Sequence, residues 1–73
     1  MSAKEMFNKL GWEYNTIVEE NHIEIYYVKY DYNCRPITSE IDIRNEEIII
    51  TGTINLQEIK AINKQVEELG WNK

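Results

Sequence analysis

One cysteine, one histidine, one proline and three glycines are spread over 73 residues, and each scarcity removes a class of protein. Cys34 alone permits no internal disulfide, and Cys34 with His22 cannot fill a four-ligand structural zinc site, so neither a metal nor a cofactor is expected. Gly11, Gly52 and Gly70 stand apart and match no phosphate-cradling loop. Long apolar runs are also missing. No stretch approaches the ~20 residues that span a bilayer, and the polar start Met1-Ser2-Ala3-Lys4-Glu5 is unlike a secretory leader, so a cytosolic protein is expected. Basic charge is short as well: eight Lys and Arg against thirteen Asp and Glu give a net charge of -5. The deficit falls in the middle, where residues 12–54 carry three bases and nine acids. Binding to a phosphate backbone needs a basic footprint, which argues against direct nucleic-acid binding; a basic protein surface would match.

A chain of 73 residues has room for one domain, here residues 1–73. It buries only roughly 60% of the surface exposed on unfolding, so its core must be lean and a partner subunit remains open as an added support. Ser2 and Glu5 have capping-box spacing, and Ala3, Met6, Phe7 and Leu10 then share one helical face. A first helix is expected from about Ser2 to Leu10, stopped by left-handed Gly11, with Trp12 folded back on Phe7. Asn55 and Glu58 repeat the capping box. Leu56, Ile59, Ile62, Val66 and Leu69 follow at spacings of three and four, predicting a helix over Leu56 to Leu69 that buries this stripe and ends at Gly70, with Trp71 on Val66. On its polar side Lys64 is placed to pair with Glu67 or Glu68.

Between the helices the apolar period drops to two. Tyr14, Thr16 and Val18, then Ile23, Ile25 and Tyr27, alternate with more polar residues around a turn at Glu20-Asn21. Such a hairpin pairs Val18 with Ile23, Thr16 with Ile25 and Tyr14 with Tyr27. Asp31 to Pro36, holding the lone proline, reads as a longer connection. A second hairpin turns at Asn45-Glu46, sets Ile43 opposite Ile48 and Ile41 opposite Ile50, and continues to about Thr53 with a bulge at Gly52. The expected fold class is α+β: a two-layer sandwich of one four-stranded antiparallel sheet with N- and C-terminal helices on one face, in the order α-β-β-β-β-α.

If that face holds the helices with Tyr14, Val18, Ile23, Ile25, Tyr27, Ile41, Ile43, Ile48 and Ile50, the other displays Glu13, Ile17, Glu24, Tyr26, Val28, Tyr30, Glu40, Asp42 and Ile49, acidic and aromatic together. Two readings stay open: a solvated face with a few wide side chains, or a contact surface, for which tyrosine supplies a broad rigid ring with a polar tip. Signals for catalysis are weak. His22 has no acid or nucleophile at a motif spacing; Cys34 beside Arg35 lacks a positioned base; the pairs Glu19-Glu20, Glu46-Glu47 and Glu67-Glu68 fall at turns and a helix end, where charge solvates a surface. No catalytic residue is assigned.

The segment Leu56-Gln57-Glu58-Ile59-Lys60-Ala61-Ile62-Asn63-Lys64, closing with Glu68-Leu69-Gly70-Trp71, resembles the tail of small uncharacterised proteins encoded by phages and prophages of Gram-positive, low-G+C bacteria. Twelve Ile and eight Asn against two Ala agree with A/T-rich codons. The resemblance implies a context, a host cytoplasm and a host protein to bind, and transfers no functional residue. The expected function is thus a small acidic, non-enzymatic protein-binding module. The alternatives are a homodimer that buries its open sheet face, with no other ligand, and a small ligand-binding domain or enzyme built on Tyr26 and Tyr30.

Overall fold

The computed structural model describes residues 1–20, 22–30 and 37–71. They form α1 (Ala3–Lys9), β1 (Glu13–Glu19), β2 (His22–Tyr30), β3 (Ile37–Arg44), β4 (Glu47–Thr51) and α2 (Leu56–Leu69), the expected order. The sheet is antiparallel with strands in sequence order, so β1 and β4 are its two edges. Both helices lie on one face. Tyr27 alone shows this, since its ring stacks on Phe7 of α1 at 3.9 Å and its hydroxyl donates to Gln65 Oε1 of α2 at 2.6 Å.

Local chemistry accounts for the boundaries. Ser2 and Asn55 each accept from the backbone N–H three residues on, and Glu5 and Glu58 reach back to the cap N–H, so two orphan donors are satisfied at each helix start. At the end of α1, Gly11 sits at φ 90° and the Trp12 N–H bonds the Phe7 carbonyl at 3.0 Å; Gly70 at φ 76° and the Trp71 N–H on Val66 repeat the device. Trp12 meets Phe7 edge to face, 5.9 Å between centroids. The first hairpin keeps the expected register, Tyr14 opposite Tyr27 through Val18 opposite Ile23. Of its turn, Asn21 lies outside the described residues, as does the connection expected over Asp31 to Pro36. The second hairpin turns through Asn45 and Glu46, both at positive φ (49° and 60°), the signature of a type I′ turn whose twist matches the strands it joins. Strand β4 stops at Thr51, two residues before the expected end, because Gly52 at φ 96° turns the chain out of the sheet instead of bulging within it.

The core is built from Phe7, Trp12, Ile25, Tyr27, Ile41, Ile43, Ala61 and Ile62, with Leu10, Tyr14, Ile48, Val66 and Trp71 packed around it. Here α2 departs from the sequence reading. Leu56 and Ile59 are exposed and Leu69 is only partly covered, whereas Glu58, Ala61, Ile62 and Gln65 are buried. Two polar anchors set this rotation: Trp12 Nε1 donates to Glu58 Oε2 at 2.8 Å, and Tyr27 donates to Gln65. Each satisfies a polar atom that burial would otherwise strand, a penalty of about 1–3 kcal/mol, comparable to burying one large aliphatic side chain. Among the described residues no buried side-chain nitrogen or oxygen lacks a partner. On the helix-bearing face Val18, Ile23 and Ile50 were expected to be covered, yet all three are exposed: Val18 and Ile23 lie at the turn end of the first hairpin, and Ile50 lies on the edge strand β4.

Candidate functional site

The helix-free face reads as rows across the sheet. Glu13, Val28, Glu40 and Thr51 form one row; Asn15, Tyr26, Asp42 and Ile49 form the next. In a third, Ile17 lies opposite Glu24, and Glu24 meets Arg44, whose Nη1 stands 3.5 Å from Glu24 Oε1. Alternation on β1 to β4 therefore puts Glu13, Glu19, Glu24, Glu40, Asp42 and Glu47 on one face, with Arg44 the one base there among the described residues. Glu40 reports the crowding. Partial burial first, then the neighbouring charge of Asp42, a hydrogen bond shared with Asp42 and the charge of Glu24, raise its carboxyl above the usual range. Like charges this close favour retaining a proton.

Of the residues singled out from the sequence, Ile17, Tyr30 and Ile49 are exposed, while Glu24, Tyr26, Glu40 and Asp42 are half-buried. Val28 differs from expectation: it is 2% exposed and offers no contact surface. It is a short side chain on an inner strand with Glu13 and Glu40 opposite on either side, and such a position reaches little solvent. Tyr30 lies beyond a register shift between Lys29 and Tyr30, so its alternation with Tyr26 is not guaranteed by strand period alone. Seven of the eight named residues thus retain some exposure, and Ile17 and Ile49 flank the acidic rows from the two edge strands.

A second polar cluster joins the helices to the sheet. Burial would raise the Glu58 carboxyl, but the Asn55 backbone N–H, the Trp12 indole N–H and the Lys29 ammonium together outweigh it and hold it below the usual range. Lys29 Nζ is 3.5 Å from Glu58 Oε2 and 5.8 Å from the Trp12 ring centroid. This carboxylate is buried and held by donors from the Asn55 cap, Trp12 and Lys29 of β2, so it anchors α2 to the rest of the fold. Its role escaped the sequence reading, in which Glu58 was a cap residue only. The available signal was its spacing with Ile62 and Gln65, four and seven residues on, which places all three on one helical face.

Grooves of about 510 Å³ and 190 Å³ run along α1; the larger is lined by Lys4, Glu5, Asn8, Trp12, Glu13 and Tyr14, the smaller by Met1, Met6, Lys9, Leu10 and Gln57. Neither touches Tyr26 or Tyr30. Among the described residues no three of His, Cys, Asp and Glu are grouped to hold a metal ion, and no helix is long and apolar enough to cross a membrane. Comparison with protein-family models, curated proteins and solved structures finds no match.

Proposed function

We propose that this chain is a non-enzymatic protein-binding module whose helix-free sheet face engages a basic surface on a protein partner. The observation that carries the reading is the acidic excess of that face, six carboxylates to the one base Arg44 among the described residues, set on the sheet between the exposed side chains of Ile17 and Ile49. Clustered charge steers a basic partner and fixes its orientation, and the apolar flanks add buried area. A face this acidic is a poor mate for itself: two copies packed open face to open face would set carboxylates against carboxylates, which opposes the alternative of a face-to-face homodimer. The resemblance of the α2 segment to phage and prophage proteins supplies the setting, a host protein in the cytoplasm of a low-G+C Gram-positive bacterium.

The test is capture from lysate of such a bacterium on immobilised protein, with mass spectrometry of what is retained. Replacing Glu40 and Asp42 by Gln and Asn, or Tyr26 and Tyr30 by Ala, is expected to lower capture of the retained partner about tenfold or more while leaving the fold cooperative. Added salt should do the same. Capture that survives these changes and high salt would remove the acidic face from the mechanism.

A further inference from the structure

We propose that two copies of the chain pair through the β4 edge, giving one continuous eight-stranded sheet with both helix layers on the same side. In a two-residue hairpin the residues flanking the loop exchange backbone hydrogen bonds, so Arg44 with Glu47, Asp42 with Ile49 and Glu40 with Thr51 are the bonded pairs. Ile48 and Ile50 then aim their N–H and C=O groups away from β3, an edge with no paired strand among the described residues. Sheet edges of this kind are usually blunted by Lys, Pro or a bulge. Strand β4 reads Glu-Ile-Ile-Ile-Thr and carries none of these.

Its sequence is self-complementary. An antiparallel pairing centred on Ile49 sets Ile49 against its own twin, Ile48 against Ile50, and Glu47 against Thr51, so no charge meets its like. The outward groups of Ile48 and Ile50 meet those of Ile50 and Ile48 on the second copy, which satisfies the edge with four hydrogen bonds. The other edge strand fails the same trial. Full-overlap antiparallel pairing of β1 with itself opposes Glu13 to Glu19 at both ends, which is destabilising.

The helix layer supports the same occupant. Helix α1 lies over β1 and β2, with Lys4 Nζ 4.6 Å from the Tyr14 ring centroid and Phe7 stacked on Tyr27. Against α1, α2 presents Glu68, which accepts from the Ala3 N–H, and Gln57, which lines the smaller groove with Lys9 and Leu10. Ile59, two residues after Gln57, is rotated by about 200° and so points away from α1, toward the β4 side. It is exposed, as is Ile50 of β4. A two-fold axis normal to the sheet at Ile49 brings this apolar flank against its twin, whereas solvent gives it nothing. The dimer also joins two acidic faces into one surface, doubling the face proposed above for partner binding; pairing itself does not depend on that reading.

Light scattering on size-separated protein over a range of concentrations tests the pairing with no partner present, so its failure is distinct from a failure of capture. A dimer is expected, its dissociation constant raised about tenfold or more by Thr51→Glu, which opposes Glu47 at two symmetric positions, and lowered by Thr51→Lys. Ile49→Arg, which opposes itself, should leave only monomer with an unchanged far-UV spectrum. Three results would overturn the proposal: a monomer at millimolar concentration, a dimer indifferent to residue 51 but lost on Ile17→Lys, or oligomers that keep growing with concentration, as head-to-tail pairing of β1 with β4 would produce.

Discussion

Glu58 shows how one side chain serves two ends. As the third residue of α2 it closes the Asn55 cap, with Asn55 N–H to Oε1 at 2.8 Å, and through Oε2 it holds the Trp12 indole across 46 residues of sequence. Glu58→Ala leaves the buried indole N–H unpaired and opens the cap, and should cost about 2–3 kcal/mol in urea unfolding, with Glu58→Gln much milder because an amide oxygen still accepts. The pH dependence follows from the lowered carboxyl. A group whose folded pKa lies below its unfolded value stabilises fully above the unfolded value, and that stability is lost as pH falls through the folded one. Wild-type protein should therefore lose stability on acidification below about pH 4.5, the ordinary glutamate value, and Glu58→Gln should lose less over that window. Tyr27 adds the opposite limit. Burial first, then the neighbouring Tyr14 and Glu68, raise its hydroxyl above the ordinary 10.0, so the stability it carries is lost as alkaline pH ionises it in the unfolded chain.

At the scale of elements, helix ends and helix faces follow different rules. The end of α1 is a backbone matter: a Cβ at Gly11 would meet only Lys29 Cε at 3.9 Å, an ordinary contact, so the obstacle to any other residue is φ +90°. Gly11→Ala should cost about 1–2 kcal/mol, measured by thermal melting, with no change in the packed core. The buried face of α2 is a packing matter. Ile59→Lys, on the exposed flank, is expected to stay within about 0.5 kcal/mol of wild type under conditions where the protein is monomeric, whereas Ile62→Ala should cost about 2–4 kcal/mol through the cavity it leaves. A stripe read only from apolar spacing would make both large, so the contrast checks the orientation of the helix directly.

The whole molecule is shaped by a charge imbalance that its fold concentrates. The sheet alternates its residues so that the helices take one face and most of the acids of the middle segment take the other. With Glu40 raised by burial, Asp42 and Glu24, the sign is the reverse of Glu58: its favourable contribution is present at low pH and lost as pH rises through the raised folded value. At neutral pH the cluster is therefore a cost. Glu40→Gln should raise the melting temperature at neutral pH in low salt, and the gain should shrink both on adding salt and on acidification. An unchanged melting temperature in low salt would show that the face is screened too well to store repulsion. Such a cost to stability accords with the proposed binding of a basic partner, whose charge would offset it.

Sequence alone determined the order of the elements, the helix ends and the hairpin registers, since these rest on chemistry within a few residues: capping boxes at Ser2 and Asn55, left-handed glycines at Gly11 and Gly70, and a period of two through both hairpins. Those signals are local, so they survive without knowledge of the rest. Tertiary structure decided which side of α2 faces in, because Glu58 and Gln65 become inward residues only when Trp12 and Tyr27 arrive from distant strands to donate to them. It likewise decided the membership of the open face. Alternation put Val28 there, but position on an inner strand closed it to solvent, while Arg44, opposite Glu47 beside the turn, also reaches Glu24 of β2. Periodicity assigns a side of an element; only the assembled neighbours determine how much water that side still meets.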